Sequence, residues 1–354
     1  MRNGISFFRD SLSRIAARPD LGSYRQGVKP VRIIDQSVAG KITPAEWKRR
    51  IFLQVAMIGL GKMGANMARR LRRAGHEVVG YNLDQNVTQE LADECGLEVA
   101  VSLADAVAKM PAPRAIWLML PAGKPTEQTL DELRGLLSPG DIVIEGGNSN
   151  YQESQSRAAE MKELGIDYLD VGTAGGIWGL QNGYALMVGG DASAVKRVEP
   201  LMQALAPMPD KGWLHCGPSG AGHFVKMVHN GIEYGIMQVY AEGFSLLKGK
   251  TEFGFDLAAI SGMWQDGSVI RSWLLELTVQ FLAQDQQLNG IEPYVADSGE
   301  GRWTVNEAIA QGVPAPAITV ALMTRFASQG KDEFGNKMLA MMRKGFGGHA
   351  IKVK

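Results

Sequence analysis

Leu53-Gln54-Val55-Ala56-Met57-Ile58-Gly59-Leu60-Gly61-Lys62-Met63-Gly64 is the stretch on which the fold of this chain turns. Its first half carries no charge and reads as a buried strand, and its second half is G-x-G-x-x-G. Helical spacing follows over residues 63–74, and Glu77-Val78-Val79-Gly80-Tyr81-Asn82 reads as a second strand. Glycines placed between a strand and a helix permit a tight turn and let backbone N–H groups and the helix N-terminus approach a pyrophosphate. The pattern alone is weak. Inside a strand–helix–strand unit it predicts a dinucleotide site on Gly59, Gly61, Met63 and Gly64 in place of a chance turn.

Downstream the alternation continues. Residues 87–94 look helical, and buried strands are expected over 115–120, 141–145, 168–171 and 184–188. Strand and helix in regular succession mean a parallel sheet covered by helices, so residues 53–218 are expected to form an α/β Rossmann-type domain. After Pro218 the strand signals stop. Helical patterns over 222–248, 256–265, 270–284, 304–311 and 316–329 predict an all-α domain over 219–354, bearing the substrate site, the oligomer contacts and a C-terminal tail. Upstream, residues 1–52 show no sustained period and are expected to be a poorly ordered basic extension. Two other readings of it stand: a start codon placed too far upstream, or a targeting segment over 1–18, where Phe7, Phe8, Leu12 and Ile15 fall roughly on one helical face.

Composition limits the function classes. The 354 residues include 37 basic and 37 acidic side chains, a net charge of zero that argues against a nucleic-acid grip over the whole molecule. The balance is uneven, because residues 1–50 hold 11 Lys/Arg and 4 Asp/Glu, a net of +7 that leaves −7 for the rest. No apolar run approaches the ~20 residues that span a bilayer, so no membrane role is expected. Cys95 and Cys216 lack metal-ligand spacing and cannot build a disulfide framework, so no metal and a reducing, cytoplasmic setting are expected. Glycine is the outlier, at 43 residues or about 12% against a usual ~7%.

The end of the second strand chooses between the two nicotinamide dinucleotides. An acidic residue there binds the ribose 2′-hydroxyl, whereas an arginine accommodates a 2′-phosphate. The sequence Tyr81-Asn82-Leu83-Asp84-Gln85-Asn86 has no cation, and a carboxylate would repel a phosphate dianion. NAD is therefore expected, with Asn82 and Asp84 at the ribose. Asp84 also fits the cap of the next helix, and both roles can coexist. Leu120 and Asn148 lie at strand C-terminal ends, where α/β sheets hold ligands; for Asn148 a plain turn role stays open.

The most informative helix is Gly222-His223-Phe224-Val225-Lys226-Met227-Val228-His229-Asn230-Gly231-Ile232-Glu233-Tyr234. Lys226, Asn230 and Glu233 share one face, flanked by His229 and Tyr234. A solvated face with salt bridges would explain the stripe. Gly231 and Gly235, which cost helix stability, predict close backbone packing and so favour a polar stripe facing the cofactor cleft.

Taken together, Gly59-x-Gly61-x-x-Gly64, Glu145-Gly146-Gly147-Asn148-Ser149, Gly175-Gly176, Lys226-x-x-His229-Asn230-x-x-Glu233-Tyr234 and Arg343-x-x-Phe346-Gly347-x-His349 resemble the decarboxylating 6-phosphogluconate dehydrogenases, in their short NAD-dependent form. The resemblance runs from about residue 53 to the C-terminus. It implies oxidation and decarboxylation of 6-phosphogluconate to ribulose 5-phosphate in the pentose phosphate pathway. It implies Lys226 as general base, Glu233 as the acid that protonates C1 of the enediol left after CO2 departs, and Asn230 beside them. It further implies that Asn148, Gly175, Gly176, His229 and Asn230 line the substrate and that Tyr234 and Arg325 hold its phosphate. Arg343 and His349 match tail residues that reach a neighbouring subunit's site, so a homodimer or homotetramer is implied. The plain alternatives are an exposed helix charge for Arg325 and a basic tail for Arg343 and His349.

The chain departs from that pattern at two places. Ala174-Gly175-Gly176 stands where the family has Ser-Gly-Gly, and Ser298 and Glu300 replace a lysine and a threonine that meet the phosphate in longer relatives. A carboxylate near a phosphate is unfavourable, so that loop is expected to differ. Two other readings remain. A 3-hydroxyacid dehydrogenase of the 3-hydroxyisobutyrate or tartronate semialdehyde type shares the glycine loop and the Lys/Asn pair but lacks the Glu at i+7. A non-catalytic NAD-binding protein is the third.

Overall fold

The charge-free runs become the middle of one sheet. The structure, a computed structural model, describes residues 52–347 and 349–353, within the unit Ile51–Lys354. The readings of the basic extension, disorder and targeting alike, fall outside the described residues save for Phe52.

In chain order the first part contains β1 (Gln54–Ile58), α1 (Lys62–Arg73), β2 (Glu77–Tyr81), α2 (Gln85–Cys95), β3 (Glu98–Val99), α3 (Leu103–Ala108), β4 (Ala115–Leu118) and α4 (Lys124–Arg134). It continues through β5 (Ile142–Glu145), α5 (Tyr151–Glu163), β6 (Asp167–Ala174), α6 (Gly179–Asn182), β7 (Ala185–Gly189), α7 (Ala192–Leu205) and β8 (Trp213–Gly217). The eight strands form a single sheet ordered β3-β2-β1-β4-β5-β6-β7-β8. Strands without charge are buried on both faces: Val55 and Met57 pack with Met67, Ala68 and Leu71 of α1, while Ala56 and Ile58 pack with Leu130 and Leu133 of α4. The strand order reverses between β1 and β4, which opens the crevice that such sheets use for a nucleotide.

One pairing departs from the expected parallel sheet. β6 and β7 run antiparallel, Val171 opposite Val188. The stretch between them holds only a 3₁₀ turn, Gly176–Trp178, and α6, too little for the crossover that a parallel return needs. β8 is a further strand that the pattern did not reveal, because its residues are at best half-buried and show no clean alternation.

The helical part comprises α8 (Ala221–Gly249), α9 (Leu257–Gln265), α10 (Trp273–Leu282), α11 (Glu300–Gln311), α12 (Pro316–Ser328) and α13 (Glu333–Gly347). The start of α8 is clamped to the sheet. The buried Asp170 carboxylate of β6 accepts the Gly220 N–H at 2.7 Å and the His223 N–H at 2.8 Å, so a strand side chain caps a distant helix. A Cβ on Gly222 would lie 2.3 Å from the Asp170 carbonyl oxygen, so only glycine lets the helix come this near. Gly231 likewise faces Thr304 of α11, where a Cβ would fall 2.7 Å from Cγ2, and Thr304 Oγ1 donates to the Met227 carbonyl at 2.9 Å. Gly235 does not fit that explanation: a Cβ there would meet no atom within 4 Å. It sits one turn past the α11 contact.

Candidate active site

The glycine loop has the shape a pyrophosphate needs. Gly59 has φ +92° and a Cβ there would lie 2.5 Å from the Met119 carbonyl oxygen; on Gly64 it would lie 2.0 Å from the Gly59 carbonyl oxygen. Gly61 is different, since a Cβ would meet nothing within 4 Å. Two glycines thus close the turn, and the third leaves open the side on which a ligand approaches. No side chain caps the N-terminus of α1, so its first N–H groups remain available to an anion. Met63 is partly buried one residue before Gly64.

Asn82 braces this loop, its Oδ1 accepting the Leu60 N–H at 3.1 Å. Asp84 takes the capping role, accepting the Asn86 N–H at 3.0 Å, and remains exposed at the end of β2 beside Leu83, which is 90% exposed. Across the crevice Leu120 lies over the loop, and a Cβ on Gly59 would come within 2.8 Å of its Cδ2.

Behind Asn148 lies a charged anchor that sequence reasoning missed. Glu145 is buried and accepts from Ser149, from the Tyr168 hydroxyl and, at 3.1 Å, from Arg157. Arg157 also meets Glu127 and, at 2.9 Å, Glu153. Burial and the neighbouring Glu145 push the Tyr168 phenol well above its ordinary pKa, so it stays a hydrogen-bond donor. With Glu145 fixed, Gly146 and Gly147 lie flat against β4 and its loop, and Asn148 Oδ1 is buried without a partner. An orphan acceptor at a strand end of the crevice suits a ligand amide or hydroxyl. Together with the open Gly61 side, it shows that these residues fit a nicotinamide dinucleotide.

The other wall is the first three turns of α8. Lys226 is buried, and its Nζ donates to Asn230 Oδ1 at 2.8 Å. Its Cβ faces Gly172 of β6, where any side chain would collide. Burial lowers the Lys226 pKa, partly offset by Glu233 and Glu300. His229 Nδ1 lies 3.0 Å from Asn230 Oδ1 and 3.8 Å from Glu233, and both His229 and Glu233 are about 40% exposed. The predicted face is thus assembled, buried at Lys226 and Asn230 and open at Glu233. Gly175, at φ +131°, and Gly176, at φ +53°, follow the end of β6, and a Cβ on Gly176 would meet only open space. Thr173 turns its hydroxyl to the Val171 carbonyl and does not replace the hydroxyl missing at Ala174.

Beyond Glu233, Tyr234 is buried under Arg325 of α12, whose guanidinium carbon lies 3.6 Å from the ring centroid. Arg325 is itself buried and its Nε has no partner, so it is not an exposed helix charge. Arg343 and His349 are both exposed. Arg343 is exposed on α13, every described side chain of which is exposed, including Phe334, Leu339 and Met342. That helix is not expected from the sequence, where the tail shows only its Arg343 to His349 motif.

A Rossmann-type sheet whose crevice faces a buried lysine on the first helix of an all-α region defines a nicotinamide-dinucleotide-dependent dehydrogenase. Residues 54–217 match the model for the NAD binding domain of 6-phosphogluconate dehydrogenase, and residues 222–347 match that for its C-terminal domain. The chain belongs to the 6-phosphogluconate dehydrogenase family. It is 43% identical over 303 residues to the NAD(+)-dependent, decarboxylating 6-phosphogluconate dehydrogenase of Haloferax volcanii, covering 85% of this chain and 99% of that one. A Bacillus subtilis enzyme of the same description is 36% identical, over 80% of this chain and 63% of its own length. Among solved structures, Plasmodium falciparum 6-phosphogluconate dehydrogenase, studied with NADP+ and with 6-phosphogluconate, superposes with TM-score 0.73 at 27% identity, covering 86% of this chain and 66% of that one. No helix among the described residues is long and apolar enough to cross a membrane.

Proposed function

We propose that this chain oxidises and decarboxylates 6-phosphogluconate to ribulose 5-phosphate and CO2, with NAD as oxidant. The observation that carries the reading is Lys226, buried, lowered in pKa by burial and bonded to Asn230 on the wall opposite the nucleotide crevice. A lysine of ordinary pKa, ~10.4, is a poor base at neutral pH, and desolvation corrects this. Neutral Lys226 takes the C3 hydroxyl proton; NAD, when bound, accepts the hydride from C3. Protonated Lys226 then faces the C3 oxygen and stabilises the charge that develops there as CO2 leaves. Glu233, about 10 Å further along the helix axis, is open to solvent and delivers the proton to the carbon that CO2 has left, C2 of 6-phosphogluconate and C1 of the product. The two long side chains converge on adjacent carbons. Asn148, Gly175, Gly176 and His229 line the substrate, and Arg325, whose fork suits phosphate oxygens, holds its far end beside Tyr234.

The test is stoichiometric. Purified protein given 6-phosphogluconate and NAD is expected to form NADH and CO2 in equal amounts. NADH without CO2 would support a 3-hydroxyacid dehydrogenase, which has no use for Glu233. Nucleotide binding with neither product would leave only a non-catalytic role.

NAD is preferred over NADP because Leu83 and Asp84 give the ribose edge no cation and one carboxylate. Leu83→Arg alters only an exposed side chain and is expected to shift the NADP/NAD ratio of kcat/KM upward by about tenfold or more, the size of one charge-assisted bond. An unchanged ratio would show that this loop does not read the ribose. The working form is a homo-oligomer: the exposed apolar residues of α13 suit burial against a second copy, which would carry Arg343 and His349 into the neighbouring site.

A further inference from the structure

Glu300 is the departure that the substrate reading leaves unused. It opens α11, is buried, and accepts the Ser298 hydroxyl on Oε2. A carboxylate only accepts, so the Ser298 proton is committed to it, and the Tyr234 hydroxyl, 3.0 Å from Ser298 Oγ, must donate to Ser298 in turn. The relay therefore runs from Tyr234 through Ser298 to Glu300 and ends on an acceptor. Nor does a cation of the loop quench Glu300. Arg302 pairs with Asp297 and lies over the Phe326 ring, and no ion pair to Glu300 occurs among the described residues. Its second oxygen, Oε1, has no hydrogen-bond donor among them and is not sealed from solvent.

Glu300 is near enough to Lys226 to act on its charge, and the relay ties it to Tyr234, on which Arg325 is stacked. It thus lies between the reacting end of the site and the anion-holding end. Resting on the substrate reading above, we propose that Glu300 is a specificity-determining residue whose free carboxylate oxygen accepts a hydroxyl of the substrate's polyol chain, at C4 or C5, between the oxidised C3 and the phosphate. The phosphate itself is left to Arg325 and the tail cations. An acidic side chain here is then no obstacle to an anionic substrate, since it meets a hydroxyl donor and not the phosphate.

The test is a cycle between enzyme and substrate. Wild type, Glu300→Gln and Glu300→Ala are each assayed for kcat/KM on 6-phosphogluconate and on its 4-deoxy and 5-deoxy analogues at saturating NAD. Wild type is expected to lose about tenfold to a hundredfold on one of the two analogues, the range for a hydrogen bond to a charged group. Glu300→Ala is expected to lose that factor on the parent substrate and nothing further on the same analogue, with Glu300→Gln between, since its amide oxygen still accepts. Equal losses on all three substrates in Glu300→Ala would mean a structural role and overturn the proposal. So would a wild type indifferent to both deoxy changes. A wild type that turns over none of the three would overturn the substrate reading, and this inference with it.

Discussion

Lys226→Met is expected to lower kcat by about 10²–10⁴, the range for loss of a positioned general base, with nucleotide binding unchanged. The separation follows from the fold. The nucleotide loop is built by β1, α1 and β2, whereas Lys226 is on α8, across the crevice. Methionine keeps most of the volume that packs against Gly172. Stability supplies a control. Folding lowers the Lys226 pKa, so its buried charge costs stability once pH has fallen through that lowered value, and the cost is absent above lysine's ordinary pKa. At neutral pH the methionine variant should therefore melt no earlier than the parent, and an inactive but stable protein isolates the chemistry. In the wild type the kcat/KM profile should fall toward acid as Lys226 takes up a proton, with its midpoint below the ordinary lysine pKa. Lys226→Arg, charged at every accessible pH, should be as inactive as the methionine variant. Retention of kcat by either variant would remove Lys226 from the role of base.

What the sequence disclosed and what it hid divide along physical lines. β1 and β4 were legible as charge-free runs, and β2 and β5 as apolar runs with a charge only at one end, because strands buried on both faces exclude charge from their middles. The Lys226, Asn230 and Glu233 face was legible because helix geometry alone brings i, i+4 and i+7 together. Contacts between distant segments were not. Asp170 bonds to N–H groups some 50 residues away; its only trace is a carboxylate in the strand run Tyr168-Leu169-Asp170-Val171, a place where charge is rarely left unpaired. The Tyr234–Ser298–Glu300 relay joins α8 to the turn before α11, so no local period announces it. Gly235 shows the opposite failure. A helical glycine suggested close packing, and the helix there faces open space.

Arg157 concentrates the second large effect. Arg157→Met is expected to destabilise the protein by about 3–5 kcal/mol, the cost of breaking a buried pair from one side. Arg157 and Glu145 are each almost wholly buried, and the arginine serves Glu127 and Glu153 as well. Those two glutamates are about half exposed, so water can replace the arginine for them, but it cannot reach Glu145. The variant leaves a carboxylate at the end of β5 with only the Ser149 and Tyr168 hydroxyls to satisfy it. Because that carboxylate fixes Gly146, Gly147 and Asn148 against β4, the damage should extend to the site. KM for NAD should rise at temperatures well below the melting point. Adding Glu145→Gln to Arg157→Met removes the stranded charge and should recover a large part of the lost stability, since removing both members of a buried pair is far less costly than removing one. Denaturant unfolding of the parent, the two single variants and the double variant decides the matter. If the double variant were as unstable as the sum of its single changes, the penalty would lie in lost arginine packing, and Glu145 would owe its position to the hydroxyls alone.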